Sequence, residues 1–330
     1  MSAAQATDSK RTLSYAAAAA LALEQVMSAD ERVVALGEDV GRGGVFGQYA
    51  GLLARFGEHR IIDTPISEST IVGAAVGMAL TGLRPVVEMR VVDFALCAID
   101  EIVNQAAKNR FMFGGQGRVP AVIRMPIGTW TGSAAQHSQS LEAWFAHVPG
   151  LVVVAPSTAA DNHALLKASI ACGDPVAYLE HKELWGVDGE VDTGATGAGE
   201  LGRARCTRAG KDLTIVSWSR TALESLAAAE ALASEGIEAE VIDLRTLWPW
   251  DRDQVLASAA RTGRVLVAHE AVQAAGFGGE IAATVAEETG ARVARLGAPR
   301  IPVGYSQALE SEAIVRAVQI ADRARRLLAT

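Results

Sequence analysis

The chain has 330 residues, half of them apolar, and its 30 Lys and Arg against 38 Asp and Glu leave a formal charge of −8. At ~150 residues per domain that length corresponds to about two domains, and the apolar share can bury a sizeable core, which excludes a disordered chain. No long basic run stands against the acidic balance, so nucleic acid and anionic membrane surfaces are poor partners.

Residues 1–11 are small and polar and read as a loose N-terminal arm. The Ala-rich stretch 13–23 is too short to span a bilayer and predicts a buried helix continuing to Met27. No signal-peptide processing site is evident around it, so the chain is expected in the cytoplasm. Short β-branched runs follow at 33–36, 60–63, 85–89, 121–125, 151–154 and 176–180. They are almost continuously apolar, as parallel strands covered on both faces are. Ala- and Leu-rich stretches at 71–83, 96–110 and 159–172 alternate with them and read as helices. The pattern predicts a doubly wound, parallel-sheet α/β domain over 12–185. The Gly-rich stretch 186–205 keeps no hydrophobic period and reads as a surface connection. A second, smaller α/β domain is predicted over 206–330. It has strands at 213–216, 240–243 and 264–267, a helix at 221–234 capped by Gly236, and an amphipathic helix at 310–328.

Familiar signatures are missing. There is no GxxxxGK[ST] phosphate loop, no HExxH and no GxSxG. Cys97, Cys172 and Cys206 are far apart and form no CxxC pair, which argues against a disulfide framework or a structural zinc site. Gly276-Phe277-Gly278-Gly279 fits half of a dinucleotide motif and reads best as a tight strand-to-helix turn.

Three polar segments sit where a plain core would not need them. Glu38 and Asp39 follow an apolar strand, at the end that faces the ligand crevice in open α/β sheets; a helix N-cap would also use such residues. Glu68, after Ile66 and Ser67, opens an apolar helix whose start is expected to be buried. It is either a first-turn residue favoured by the helix dipole or a buried carboxylate kept for function. Gln136-His137-Ser138-Gln139 is a polar island, in which His137 is either a functional group or a hydrogen-bonded core histidine.

Together with LGEDVG, RIIDTPISE, GAAVGMALTGLRPVVEM, AIDEIVNQAAK, MFGG, AAQHSQS and HVPGLVVVAPS, in that order, these segments resemble the beta subunit of the thiamine-diphosphate-dependent 2-oxo acid dehydrogenases. That family covers the pyruvate, branched-chain 2-oxo acid and acetoin types. The resemblance runs from about Thr12 to Leu328. It implies a pyrimidine-binding domain followed by a transketolase C-terminal-like domain. It further implies decarboxylation of a 2-oxo acid with transfer of the acyl group to lipoamide, or cleavage of acetoin to acetaldehyde and acetyl-lipoamide.

The diphosphate and Mg²⁺ motif of thiamine enzymes, GDG followed by an Asn, does not occur in the chain. In the family it belongs to a separate alpha subunit. The resemblance therefore implies an α2β2 heterotetramer with Mg²⁺ held mainly by that partner, working with a lipoyl acyltransferase. By position, Glu38, Ile66, Ser67, Glu68 and Phe94 match cofactor contacts. Glu68 and His137 match the catalytic groups, at the aminopyrimidine and near the reacting centre. Ala121, Ser169, Ile170, Cys172 and Asp174 match a K⁺ site built from backbone carbonyls. Asp93, Asn104 to Lys108, Met112 to Gly115 and Glu180-His181-Lys182 look more like the acetoin type, and Met125 to Trp130 matches no type closely.

Two other readings compete: a stand-alone carboligase of transketolase type, disfavoured by the missing diphosphate motif, and a non-catalytic assembly subunit, disfavoured by Glu68, Phe94 and His137.

Overall fold

The computed structural model describes residues 9–194 and 199–329. In chain order the strands are β1 (Lys10–Ser14), β2 (Val33–Gly37), β3 (Ile61–Asp63), β4 (Arg84–Glu88), β5 (Val122–Ile127), β6 (Val152–Val154) and β7 (Val176–His181). They continue with β8 (Asp188–Asp192), β9 (Arg205–Arg208), β10 (Leu213–Ser217), β11 (Ala239–Asp243), β12 (Thr246–Trp248), β13 (Arg264–Val272) and β14 (Arg292–Ala298). One sheet has the order β12-β6-β7-β5-β4-β2-β3 and is parallel except at its β12 edge. A second has the order β14-β13-β10-β11-β9 and is parallel except at its β9 edge.

The apolar runs are parallel strands because successive side chains point to opposite faces and both faces are covered. Val33 and Ala35 of β2 pack with Ala19 and Leu23 of the helix Tyr15–Ala29 and with Leu165 and Leu166 of the helix Ala159–Ala171. Leu36 turns the other way, toward Ile71, Val72 and Ala75 of the helix Glu68–Leu80. That same core takes in Val216, Ile242, Leu247 and Phe277, so the apolar interior is continuous between the two sheets. Polar ties reinforce the junction: Arg205 reaches Asp161 at 2.7 Å and Arg245 reaches it at 3.2 Å.

Several sequence expectations are corrected. Lys10 and Arg11 are not loose, and the Gly-rich connection is not without structure: β1 and β8 pair antiparallel, Lys10 opposite Asp192 and Ser14 opposite Asp188. Both strands are largely exposed, so no apolar period marks them; the ladder rests on backbone bonding, with a Lys10–Glu190 ion pair across it and Val191 turned into a small apolar cluster. The rest of the arm (1–8) and residues 195–198 of the connection lie outside the described residues. β12, from the second half of the chain, adds to the edge of the first sheet, so the two halves are not separated cleanly in sequence. Residues 96–110 are not one helix; a 3₁₀ segment (Val92–Ala98), a π segment (Glu101–Ala106) and a helix (Ala107–Met112) follow one another. The expected terminal helix is two, Gln307–Glu312 and Ala317–Leu328. Among the described residues no helix is long and apolar enough to cross a membrane.

Candidate active site

All the polar segments emerge at one edge. In a parallel sheet the carboxyl ends of the strands point the same way, and the crossovers leave a crevice beyond them. Along the order β3-β2-β4-β5-β7 the chain presents Glu68 after β3, Glu38 after β2, Phe94 after β4, His137 after β5 and Lys182 after β7.

Glu38 and Glu68 stand close enough for the charge of one to act on the other. Burial raises the Glu38 pKa, the Glu68 charge raises it further, and Arg90 partly opposes both. Asp39 is held differently, in a left-handed turn (φ 58°) with Arg42 at 3.6 Å and Arg90 at 3.9 Å. Asp39 precedes the 3₁₀ turn Val40–Arg42 without making a side-chain capping bond, so the N-cap reading of that pair fails, whereas Glu68 does stand in the first turn of its helix, where the dipole favours it. The expectation of a buried helix start is also corrected. Glu68 is half-buried, Ser69 and Thr70 are exposed, and Ile66 is 76% exposed. The apolar helix buries its far face against the sheet and leaves its first turn at the surface.

Phe94 and His137 form a second pair. Their ring centroids lie 5.1 Å apart at an interplanar angle of 78°, an edge-to-face contact. Phe94 is half-buried and His137 exposed, so neither is a core residue. The chain thus brings together Glu38 with Glu68 and Phe94 with His137, and sets both pairs on one sheet edge. Ser67 lies beside them, its hydroxyl donating to Thr70 Oγ1 at 2.8 Å. Behind the His137 segment is a cleft of about 530 Å³ lined by Ser138, Gln139, Ser140, Glu270 and Arg300, among others.

Two of the five residues matched to a K⁺ site already give their carbonyls to a cation of the chain itself. Arg84 Nη1 donates to the carbonyls of Ile170 (2.7 Å) and Cys172 (3.1 Å). The Ala121 and Ser169 carbonyls accept from Val176 N–H and Cys172 N–H, and the Asp174 carboxylate is taken by Arg110 at 2.5 Å. The loop already surrounds a positive group that belongs to the chain. Among the described residues no cluster of three His, Cys, Asp or Glu side chains could hold a metal ion. The half dinucleotide motif is a packing device: a Cβ at Gly276 or Gly278 would stand 2.7 Å from the His269 ring, which stacks on Trp218.

The sequence reading passed over a buried charge cluster beneath this edge. Arg124 is fully buried and makes two 2.8 Å bonds to Glu180, with Glu88 at 3.9 Å. Tyr49 O–H and Gln48 Nε2 donate to Glu88, at 2.9 and 3.1 Å, and the guanidinium lies over the Tyr49 ring. Burial, assisted by Glu180, pushes Glu88 up to about 7 against the pull of Arg124. A signal was available, since one charge interrupts each of the apolar runs PVVEM, AVIRM and VAYLE.

With this geometry in hand, comparison with known proteins is decisive. The transketolase pyrimidine-binding domain matches residues 11–187, and the transketolase C-terminal domain matches residues 202–320. The beta subunit of acetoin:2,6-dichlorophenolindophenol oxidoreductase from Cupriavidus necator is 44% identical, covering 96% of this chain and 98% of that one. The 2-oxoisovalerate dehydrogenase subunit beta of Bacillus subtilis is 40% identical over 90% of this chain and 93% of that one. The chain belongs to the family of transketolase-like beta subunits of 2-oxo acid and acetoin dehydrogenases. Also similar is a mitochondrial pyruvate dehydrogenase E1 component subunit beta-2 from Oryza sativa subsp. japonica, at 42% identity over 92% of this chain and 83% of that one. The solved structure of a split-gene transketolase in an inactive beta4 tetramer superposes with a TM-score of 0.81 at 24% identity, covering 96% of this chain and 98% of that one, a likeness of fold.

Proposed function

We propose that the chain is the beta subunit of the thiamine-diphosphate-dependent decarboxylating component of a 2-oxo acid dehydrogenase complex of pyruvate type. The complex passes the acyl group to lipoamide. The observation that carries this reading is the sheet edge on which paired carboxylates, Glu38 and Glu68, stand in line with an aromatic ring, Phe94, and an exposed imidazole, His137. A carboxylate beside an aromatic face suits an aminopyrimidine, while the GDG motif that holds a diphosphate–Mg²⁺ group does not occur in the sequence.

Thiamine diphosphate, when bound, supplies the electron sink for decarboxylation. The protein's own share is to hold and move protons. Glu68 is the residue that would hydrogen-bond the aminopyrimidine and hold a proton there. Glu38, with its raised pKa, exchanges protons with Glu68, because two neighbouring carboxyls disfavour a second negative charge. Phe94 would offer its face to the ring, Ile66 and Ser67 would complete the rim, and His137 would handle a proton during acyl transfer.

Mg²⁺ would come with an alpha subunit, in an α2β2 assembly that also docks a lipoyl acyltransferase. The surface supports assembly: Phe111, Met112 and Phe113 are 89%, 69% and 57% exposed in one run, and an apolar groove of about 1010 Å³ is lined by Trp144, Trp248 and Ile99. Contiguous apolar surface of this kind marks interfaces. K⁺ is not part of the proposal, because Arg84 occupies two of the five matching carbonyls, those of Ile170 and Cys172. A second reading, acetoin cleavage, is favoured by Asp93 and Glu180-His181-Lys182. Comparing pyruvate, 3-methyl-2-oxobutanoate and acetoin as substrates of the assembled enzyme, with an artificial electron acceptor, decides between them.

The isolated chain is expected to bind thiamine diphosphate weakly, giving little heat in calorimetry. Tight, Mg²⁺-dependent binding without a partner would sink the split-site reading. His137→Ala is expected to keep cofactor binding in the assembled enzyme and to lose overall complex activity by more than it loses partial decarboxylation. Equal losses in both assays would place His137 before acyl transfer.

A further inference from the structure

Lys182 directly follows β7 and is only 3% exposed. A buried ammonium must be paired or lose its proton. Its Nζ donates to the main-chain carbonyl of His137. Three carboxylates face it from three other elements: Asp93 on the 3₁₀ segment after β4, Glu270 on β13, and Glu310 on the helix Gln307–Glu312. Burial lowers the Lys182 pKa, and these three charges offset the effect in part, leaving it at about 8.

Each of these carboxylates also holds the loop that carries His137. Glu270 accepts from Thr129 N–H (3.3 Å), while its other oxygen meets His181 Nε2 at 2.8 Å. Glu310 accepts from Gly132 N–H at 3.0 Å. Asp93 accepts from Gln139 Nε2 at 2.7 Å. The loop is thus tied at positions 129, 132, 137 and 139 to groups that surround one ammonium. It needs such ties, because Thr131 (φ 47°) and Ala134 (φ 60°) stand in the left-handed region, which non-glycine residues occupy only under strain.

We propose that Lys182 is a positioning residue for acyl transfer, offsetting the charge of the three converging carboxylates in part and fixing the His137 carbonyl so that the imidazole stands against Phe94. This rests on the reading of His137 given above. Without the ammonium, like charges crowd at Asp93, Glu270 and Glu310, and the loop relaxes away from them.

The test uses the assembled enzyme and two assays, partial decarboxylation with an artificial acceptor and acyl transfer to free lipoamide, in Lys182→Met, Lys182→Arg and His137→Ala. Lys182→Met is expected to lose acyl transfer by about 10²-fold, the effect of an ångström-scale misplacement. Its partial reaction should stay within about threefold, and Lys182→Arg should restore most of the transfer. In the native enzyme, transfer should fall as pH rises through about 8, where the ammonium loses its proton. That alkaline limb should move up in Lys182→Arg, because a guanidinium stays charged.

Normal transfer in Lys182→Met alongside a defective His137→Ala overturns the role of Lys182 and leaves that of His137 standing. Normal transfer in His137→Ala overturns the reading beneath both. If Lys182→Met does not fold, the alkaline limb decides: a limb that stays in place in Lys182→Arg, or none near pH 8 in the native enzyme, overturns the proposal.

Discussion

Glu68→Gln in the assembled enzyme should fold, bind the Mg²⁺–diphosphate group and lose turnover by roughly 10²–10⁴, the range of a positioned acid–base group. Gln keeps the length and one hydrogen bond but cannot share a proton. Exchange of the thiazolium C2 proton, followed by NMR after rapid quench, should slow in parallel. The geometry adds a second expectation. Glu68 raises the pKa of Glu38, so neutralising it should lower the Glu38 pKa and shift the acid limb of the residual activity to lower pH. A residue that served only the helix start would cost around 0.5–2 kcal/mol of stability and leave exchange intact. Normal C2 exchange with normal turnover would refute the assignment.

The largest stability effect is expected at Arg124, far from solvent. Arg124→Met removes the cation between Glu180 and Glu88 and leaves two carboxylates buried without it. Breaking a buried ionic group by deleting one partner costs about 3–5 kcal/mol. Urea unfolding near neutral pH should show that loss, and it should shrink in acid as the stranded carboxylates protonate.

Glu88 sets a pH dependence in the native chain as well. Its folded pKa, about 7, lies above the ordinary carboxylate value, so between those limits the native state binds more protons than the unfolded state. The stability contributed by Glu88 is therefore complete in acid and is lost as pH rises through about 7. Glu88→Gln should remove that slope. A slope unchanged in the variant would show that other groups produce it.

How much was legible follows from which interactions are local. The apolar strands announced themselves because burial on both faces demands an unbroken hydrophobic run, and Glu38, Glu68 and His137 stood out as polar residues where those runs end. The β1–β8 ladder did not, because polar exposed strands are defined by backbone bonding to a partner about 180 residues away in sequence, of which composition carries no trace. The Glu88–Arg124–Glu180 cluster was legible only as three separate charges inside apolar runs. Its members become a network when β4, β5 and β7 lie side by side, and strand order is not a property of any one strand.

The sequence alone determined the α/β class, the strands of both parallel sheets apart from β9, β12 and β14, and the kinship, because hydrophobic periodicity and ordered motifs are written in neighbouring residues. Tertiary structure decided which polar groups act together. It paired Glu38 with Glu68 and Phe94 with His137, filled the expected cation loop with Arg84, and gathered Asp93, Glu270 and Glu310 around Lys182. The reason is physical: buried charge is tolerated only where partners converge, and convergence depends on how distant segments pack.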